Sequence, residues 1–162
     1  MNKVQKWLLG ALVLLVGIQF IQPGKNVSAS ESIKSISTVH TVPEDVKQIL
    51  VISCNDCHSN NTIYPWYSNI QPVGWWLAHH VDEGKEELNF DEFATYSLRK
   101  QYHKLEETEE LVNDGEMPLK SYTWTHKNAI LNETQKQTIL NWSKSIRSEM
   151  LEKYPLDSLV RR

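Results

Sequence analysis

The run Cys54-Asn55-Asp56-Cys57-His58 constrains this chain more than any other stretch. Two cysteines three positions apart on one helical turn present their thiols on the same side, and a histidine follows at once. That spacing suits covalent attachment of a c-type haem. Each thiol would form a thioether with one vinyl group, and the imidazole would lie under the ring with a nitrogen on the iron. Cys54 and Cys57 are the only cysteines, so no disulfide framework competes for them. Two other uses of C-x-x-C stay open. A redox dithiol is expected beside a βαβ pattern, and the chain has none. A zinc site needs further ligands at finger-like spacing, and His79, His80, His103 and His126 supply no H-x3-5-H pair.

The N-terminal 1–30 read as targeting rather than fold. Lys3 and Lys6 flank an apolar run from Trp7 to Ile21, broken only by Gly10, Gly17 and Gln19. As a helix the run is about 22 Å long, short of a ~30 Å hydrocarbon core. Length favours a signal segment cleaved after Ala29, behind Val27-Ser28-Ala29. Trp7 at the interface favours an uncleaved anchor over residues 7–21. In both readings the positive end marks the cytoplasmic side, so the rest is expected outside the cytoplasmic membrane. Covalent haem is attached in that compartment, so the two signals agree. Residues 24–40 are rich in Ser, Gly, Asn and Lys without apolar periodicity. The expected organisation is a signal or anchor segment (1–30), a linker (31–40) and a haem-binding domain (41–155). The net charge of −3 offers no basic face for nucleic acid.

The domain reads as all-α. Thr41-Val42-Pro43-Glu44 has the form of a capping box. It would open a helix with Val42, Val46, Ile49 and Leu50 on one face, running into Cys54. Residues 59–71 are turn-rich and hold Tyr64-Pro65-Trp66-Tyr67, placed either to fold over a haem edge or simply to anchor a loop. Pro72 starts the next helix, with Val73, Trp76, Leu77, His80 and Val81 on one face and Gly84 at its end. Asn89-Phe90-Asp91-Glu92 would cap a short helix carrying Phe93 and Tyr96. Leu98, Tyr102, Leu105 and Val112 mark another helix, ended by Asn113-Asp114-Gly115. Its Glu106, Glu107, Glu109 and Glu110 make an acidic face, either solvated or steering a basic partner. Asn132 to Gln135 is a second capping box, opening a helix with Ile139, Trp142, Ile146 and Met150 inward. Pro155 stops it, and Arg161-Arg162 is expected to fray. Strand-like alternation is absent.

Met117 is the second informative residue. A thioether is a soft ligand for haem iron, and a methionine opposite a histidine raises the reduction potential. Pro118 removes an N–H and stiffens the loop that presents it. Met150 fits a core period instead. His58 and Met117 are therefore the expected iron ligands, with His126, His80 and His79 as the other candidates for the sixth position. Trp76 and His80, on the apolar stripe, are expected cofactor contacts.

With these residues in view, the chain resembles the small haem-binding domain proteins of bacterial envelopes, relatives of class I cytochromes c. The resemblance spans Val42 to Trp142. It rests on Cys54 to Asn61, on Tyr64-Pro65-Trp66-Tyr67, and on Pro72-Val73-Gly74-Trp75-Trp76-Leu77 with His80 and Gly84. It continues through Gly115-Glu116-Met117-Pro118-Leu119 and Leu131 to Trp142. It implies a cytochrome c-like helical domain around one covalent haem, an anchored or exported chain, and His58/Met117 ligation. The Tyr64–Tyr67 and Trp75–His80 blocks depart from an ordinary small cytochrome c. Two functions follow. An electron carrier fills both axial positions and needs no general base or nucleophile; its redox partner protein is unnamed by the sequence. A haem enzyme of peroxidase type, or a sensor of a small gas, needs an open or displaceable sixth site, with a spare histidine as acid or base. Met117-Pro118 favours the carrier over the catalyst.

Overall fold

The computed structural model describes residues 1–28, 30 and 32–160. These residues form eight α-helices with short 3-10 turns between them, and no strand. The all-α expectation agrees with this architecture. The possible cleavage point after Ala29 and the Arg161-Arg162 tail lie outside the described residues.

Helix α1 (Lys3–Ile18) opens on a capping box in which the side chains of Asn2 and Gln5 take each other's backbone N–H. None of its residues is buried. Among the described residues no helix is long and apolar enough to cross a membrane. The segment after α1 is no free linker. The Gln19 side chain accepts the Gln71 N–H and donates to the Gln71 carbonyl. Gln22 bonds Asn69 and Gln71, and the Trp75 indole donates to the Ile21 carbonyl at 2.8 Å. Asn26 ties Ser59, Thr62 and Tyr64 together. Further on, Ile36 is 3% exposed within the hydrophobic core. Its N–H donates to the Phe90 carbonyl. The attachments of residues 19–28 run through polar side chains rather than an apolar face, so low periodicity concealed them.

Helix α2 (Glu44–Ser53) starts later than the capping-box pattern suggests. Pro43 occupies the cap position in extended geometry, and no side chain caps the helix. Thr41 instead turns its carbonyl to the Trp142 indole at 3.0 Å. Glu44 and Asp45 in the first turn favour the helix start electrostatically. Helix α3 (Asn55–His58) is a single turn. Helix α4 (Val73–Glu87) begins after Pro72 as expected but runs through Gly84 rather than ending there. Asn89 does not cap a helix either. Its side chain takes the Asp91 N–H, and one 3-10 turn (Phe93–Thr95) follows.

Helix α5 (Leu98–Asn113) is followed two residues on by Gly115, whose φ of 71° is the left-handed conformation glycine adopts freely. Helix α6 (Lys120–Thr123) is short, and α7 (Glu133–Lys153) opens on the expected Asn132–Gln135 box. Helix α8 (Leu156–Leu159) follows Pro155 and returns Leu159 to the core, 1% exposed. Helices α5 and α7 pack along each other, with α2 and α8 against them. Phe93, Leu105, Ile139, Ile146 and Met150 fill the centre. The fully buried Ser143 hydroxyl donates to the Leu105 carbonyl at 2.8 Å, so the α5–α7 crossing leaves no hydroxyl unsatisfied.

The acidic face of α5 is largely neutralised from within. Arg147 on α7 reaches Glu106 and Glu109 and the Tyr102 hydroxyl. Lys104 bridges Glu107 and Glu87. Glu109 is only 9% exposed. Removing Arg147 leaves this carboxylate without its cation, a change that costs about 3 kcal/mol when such a pair is broken from one side. Arg147→Ala is therefore expected to shift the urea midpoint down strongly. Adding Glu109→Gln should recover part of that loss; no recovery would mean the charge pair is not the cause.

Candidate functional site

The Cys54–His58 motif sits where α2 gives way to α3. Cys54 leaves helical geometry (φ −127°, ψ −43°). Its carbonyl then accepts the N–H of Cys57 at 3.1 Å and of His58 at 3.0 Å. This tight turn gathers both cysteines and the histidine. The His58 ring turns its Nδ1 between two backbone carbonyls of the α4 C-terminal turn, Gly84 at 2.9 Å and Leu88 at 2.9 Å. Two acceptors fix the proton on Nδ1, which leaves the lone pair of the neutral ring on Nε2. Burial pulls the His58 pKa below its ordinary value, against the two carbonyl contacts that raise it, and so favours the neutral form. Phe90 stands edge-on to the ring.

Gly84 makes this arrangement possible. A Cβ at that position would lie 2.8 Å from the Cys57 carbonyl oxygen and 3.0 Å from the Cys57 Cβ. Helix α4 can approach α3 closely enough to present its carbonyls only because residue 84 has no side chain.

Burial pushes the Cys54 thiol up to about 12, helped by Cys57, and the Cys57 thiol up to about 11, helped by Asp56. A redox dithiol works through a stabilised thiolate, and burial acts against one here. No group of three or more His, Cys, Asp or Glu is placed to hold a metal ion among the described residues. The zinc reading finds no ligand set there.

Beside the motif lies a cavity of about 450 Å³. Cys57 and Asp56 form one end. The expected apolar stripe of α4 lines one wall entire: Val73, Trp76, Leu77, His80 and Val81. Thr62, Ile63, Tyr64, Pro65 and Tyr67 line another, and Leu119, Ser121, Tyr122, Trp124, Thr125 and His126 the third. The stripe therefore faces an open space rather than a neighbouring helix, which is why only Gly74 and Val81 of α4 are buried.

Sequence reasoning missed the clasp that joins these walls. Asp56, the third residue of the motif, takes the Tyr122 hydroxyl on one carboxylate oxygen at 2.8 Å and the Ile63 N–H on the other at 2.8 Å. Its carbonyl accepts from the Thr62 hydroxyl. Tyr122 in turn stacks on His126, ring centroids 4.2 Å apart. Nothing in the spacing announces a contact across 66 residues; the only hint is an acidic residue inside the motif. Burial raises the Tyr122 pKa most, with the Asp56 contact acting the same way. A group whose folded pKa lies above its ordinary value stabilises the fold below that value and loses the effect as pH climbs past it. Tyr122→Phe is expected to cost about 1.5 kcal/mol at neutral pH, as for a hydrogen bond to a charged acceptor. The deficit against the parent should shrink above the ordinary tyrosine value of 10.0. Thermal melts at several pH values check both statements; a pH-independent deficit would remove the assigned cause.

The remaining candidates divide. Trp76 and His80 line the cavity and meet edge to face, with His80 also near Glu83. His126 lines it too, its Nδ1 3.1 Å from the Tyr122 carbonyl. His79 and His103 sit on the surface beside Glu83 and Glu107. Met117 is half-buried against the hydrophobic core, its N–H donating to the Leu111 carbonyl, and it does not line the cavity. Trp66 points outward, 76% exposed.

This donor set suits a haem. The Nε2 of a ring held through Nδ1 is the usual arrangement of an axial histidine. Cys57 lines the adjoining cavity, while Cys54 packs against the hydrophobic core and His58 lies outside the cavity lining. The cavity has mainly aromatic and aliphatic walls and falls in the size range of cofactor pockets. No curated protein and no solved structure matches the chain. A family model described as haem-binding domain matches residues 13–145. That match spans the motif, the clasp and all three cavity walls, and the chain belongs to the haem-binding domain family.

Proposed function

We propose that this haem-binding protein carries one electron at a time on the periplasmic side of a bacterial inner membrane. Cys54 and Cys57 would hold its single haem covalently, and His58 and Met117 would bind the iron. The observation that carries the reading is the His58 ring, whose Nδ1 is pinned by the Gly84 and Leu88 carbonyls so that Nε2 is free to bind. When bound, the haem supplies a reversible ferric–ferrous couple, with a potential tuned by axial ligand, burial and hydrogen bonding. The protein's part is to hold and shield it. Carbonyl contacts to Nδ1 raise the basicity of Nε2. Trp76, Leu77 and Val81 keep one wall dry, and the Asp56–Tyr122 clasp keeps the opposite wall in place. Met117 stands on the loop after Gly115, stiffened by Pro118. An anchor through residues 7–21 is favoured by the attachment of residues 19–28 to the domain, since cleavage after Ala29 would remove those contacts.

A second reading keeps a foothold. His80 and His126 both line the cavity, so a peroxidase-like enzyme or a small-gas sensor would have a distal histidine at hand. Absorption spectra of the matured protein, oxidised and reduced, with and without carbon monoxide, separate the two. A low-spin c-type spectrum unmoved by carbon monoxide is expected, with the haem staying on the polypeptide through acid–acetone extraction. Ready carbon monoxide binding would replace the carrier with the second reading. Extractable haem would refute the covalent attachment.

A further inference from the structure

Next to the cavity wall formed by Val73 and Trp76 lie large apolar side chains that none of the described residues covers. Trp66 is 76% exposed, Ile70 and Trp76 each 45%, and Val73 39%. They are grouped by the fold, because the 3-10 turn Trp66–Asn69 packs against the start of α4. Exposed apolar groups clustered in this way mark a surface with a partner.

The attachment of the N-terminal segment identifies that partner. From Trp7 to Ile18, beyond Lys3 and Lys6, helix α1 presents apolar side chains on all sides and buries none of them. A helix that is apolar all round belongs in an apolar medium. It leaves the domain at this same face: Gln19 is bonded both ways to the Gln71 backbone, Gln22 reaches Asn69, and Ile21 accepts from Trp75. Ile70 and Val73 flank Gln71 in the chain, so the face lies at the foot of α1. Any lipid that takes up α1 therefore meets Trp66, Ile70, Val73 and Trp76 next. Tryptophan is the side chain best suited to that depth, with an apolar body for the acyl boundary and an N–H for the headgroups. The side chains of Gln19 and Gln22 are spent on the domain rather than on water, so the angle between α1 and this face is fixed by hydrogen bonds rather than left to a flexible tether.

We infer that the face formed by Trp66, Ile70, Val73 and Trp76 seats on the lipid bilayer, placing the Val73–Trp76 wall of the cavity at headgroup level. The inference rests on the proposed anchor and goes beyond it, since a flexible tether would leave this face in water. Val73 and Trp76 belong both to the seat and to the cavity wall.

The test uses the full chain, matured with haem, reduced, labelled with 5-fluorotryptophan and placed in phosphatidylcholine–phosphatidylglycerol nanodiscs. Single Trp→Phe replacements assign the fluorine resonances. Paramagnetic lipids and a water-soluble gadolinium chelate are then added in turn. The resonances of Trp7, Trp66 and Trp76 are expected to lose intensity with the paramagnetic lipid and to keep it with the chelate. Trp142, 5% exposed in the core, should respond to neither. If Trp7 responds to lipid while Trp66 and Trp76 respond only to the chelate, the seat is refuted and the anchor stands. If Trp7 also stays in water, the anchor fails and the seat with it. Protection of Trp66 and Trp76 from both probes, growing with protein concentration, would assign the face to a second copy and overturn the lipid.

Discussion

Replacing Gly84 with alanine is expected to abolish stable haem loading. Two effects compete. Alanine in a helix interior is favoured over glycine by about 1 kcal/mol, so α4 alone would be steadied. Against this, the new Cβ would lie 2.8 Å from the Cys57 carbonyl oxygen and 3.0 Å from the Cys57 Cβ. Neither is the end of a flexible side chain, so relief requires α4 to move away from α3. Overpacking of this kind costs about 1–3 kcal/mol, so the net change in melting temperature is only a few degrees. The effect on the site is larger. The Gly84 and Leu88 carbonyls move with α4, and they orient His58. A displaced ring offers its Nε2 at the wrong place. The check is haem content after maturation against thermal stability. Loading should collapse while helical content and melting temperature barely change. Gly17→Ala, at a helical position with nothing within 4 Å, should alter neither. Full loading of Gly84→Ala would show that the close approach of α4 is not what holds His58.

The contrast between Gly84's role in the sequence and in the structure shows what was legible and what was not. Gly84 looks like a helix terminator, because a glycine after an apolar stripe usually is one. Its actual use, letting α4 touch Cys57, depends on a neighbour 27 positions away that no local pattern encodes. The helix registers were legible because they rest on local chemistry. The Asn132–Gln135 box, Gly115 and the inward set Ile139, Trp142, Ile146 and Met150 all lie where periodicity and capping put them. The stripe on α4 was also legible, but what it faced was not: an amphipathic face says that something apolar lies opposite, not whether it is protein. The attachment of residues 19–28 was invisible for a different reason. It is built from Gln and Asn side chains bonding backbone groups, and such contacts leave no periodic trace. The same holds for Asp56, whose two carboxylate oxygens join the cavity walls to the haem motif.

The two methionines beyond Met1 should give opposite signatures, and this separates ligation from packing. Met150 is 1% exposed in the core. Met150→Ala removes a buried side chain and leaves a cavity, a loss of about 2–5 kcal/mol, with the haem spectrum unchanged. Met117 is half-buried against the same core, so Met117→Ala costs less stability. If its sulfur binds the iron, the variant loses low-spin character and gains carbon monoxide binding. Its potential falls by on the order of 0.1 V or more, since axial ligand identity is the strongest lever on haem potential. Met117→His should restore a low-spin spectrum but not the potential, because the soft thioether is what favours the ferrous state. The competing assignment makes its own forecast. His126 lines the cavity with Nδ1 turned to the Tyr122 carbonyl, an orientation that leaves Nε2 for the iron. Were His126 the ligand, His126→Ala would open the site and Met117→Ala would leave the spectrum and the potential unmoved. Spectra and potentials of the three alanine variants, read beside their melting temperatures, decide between sulfur and nitrogen as the sixth donor.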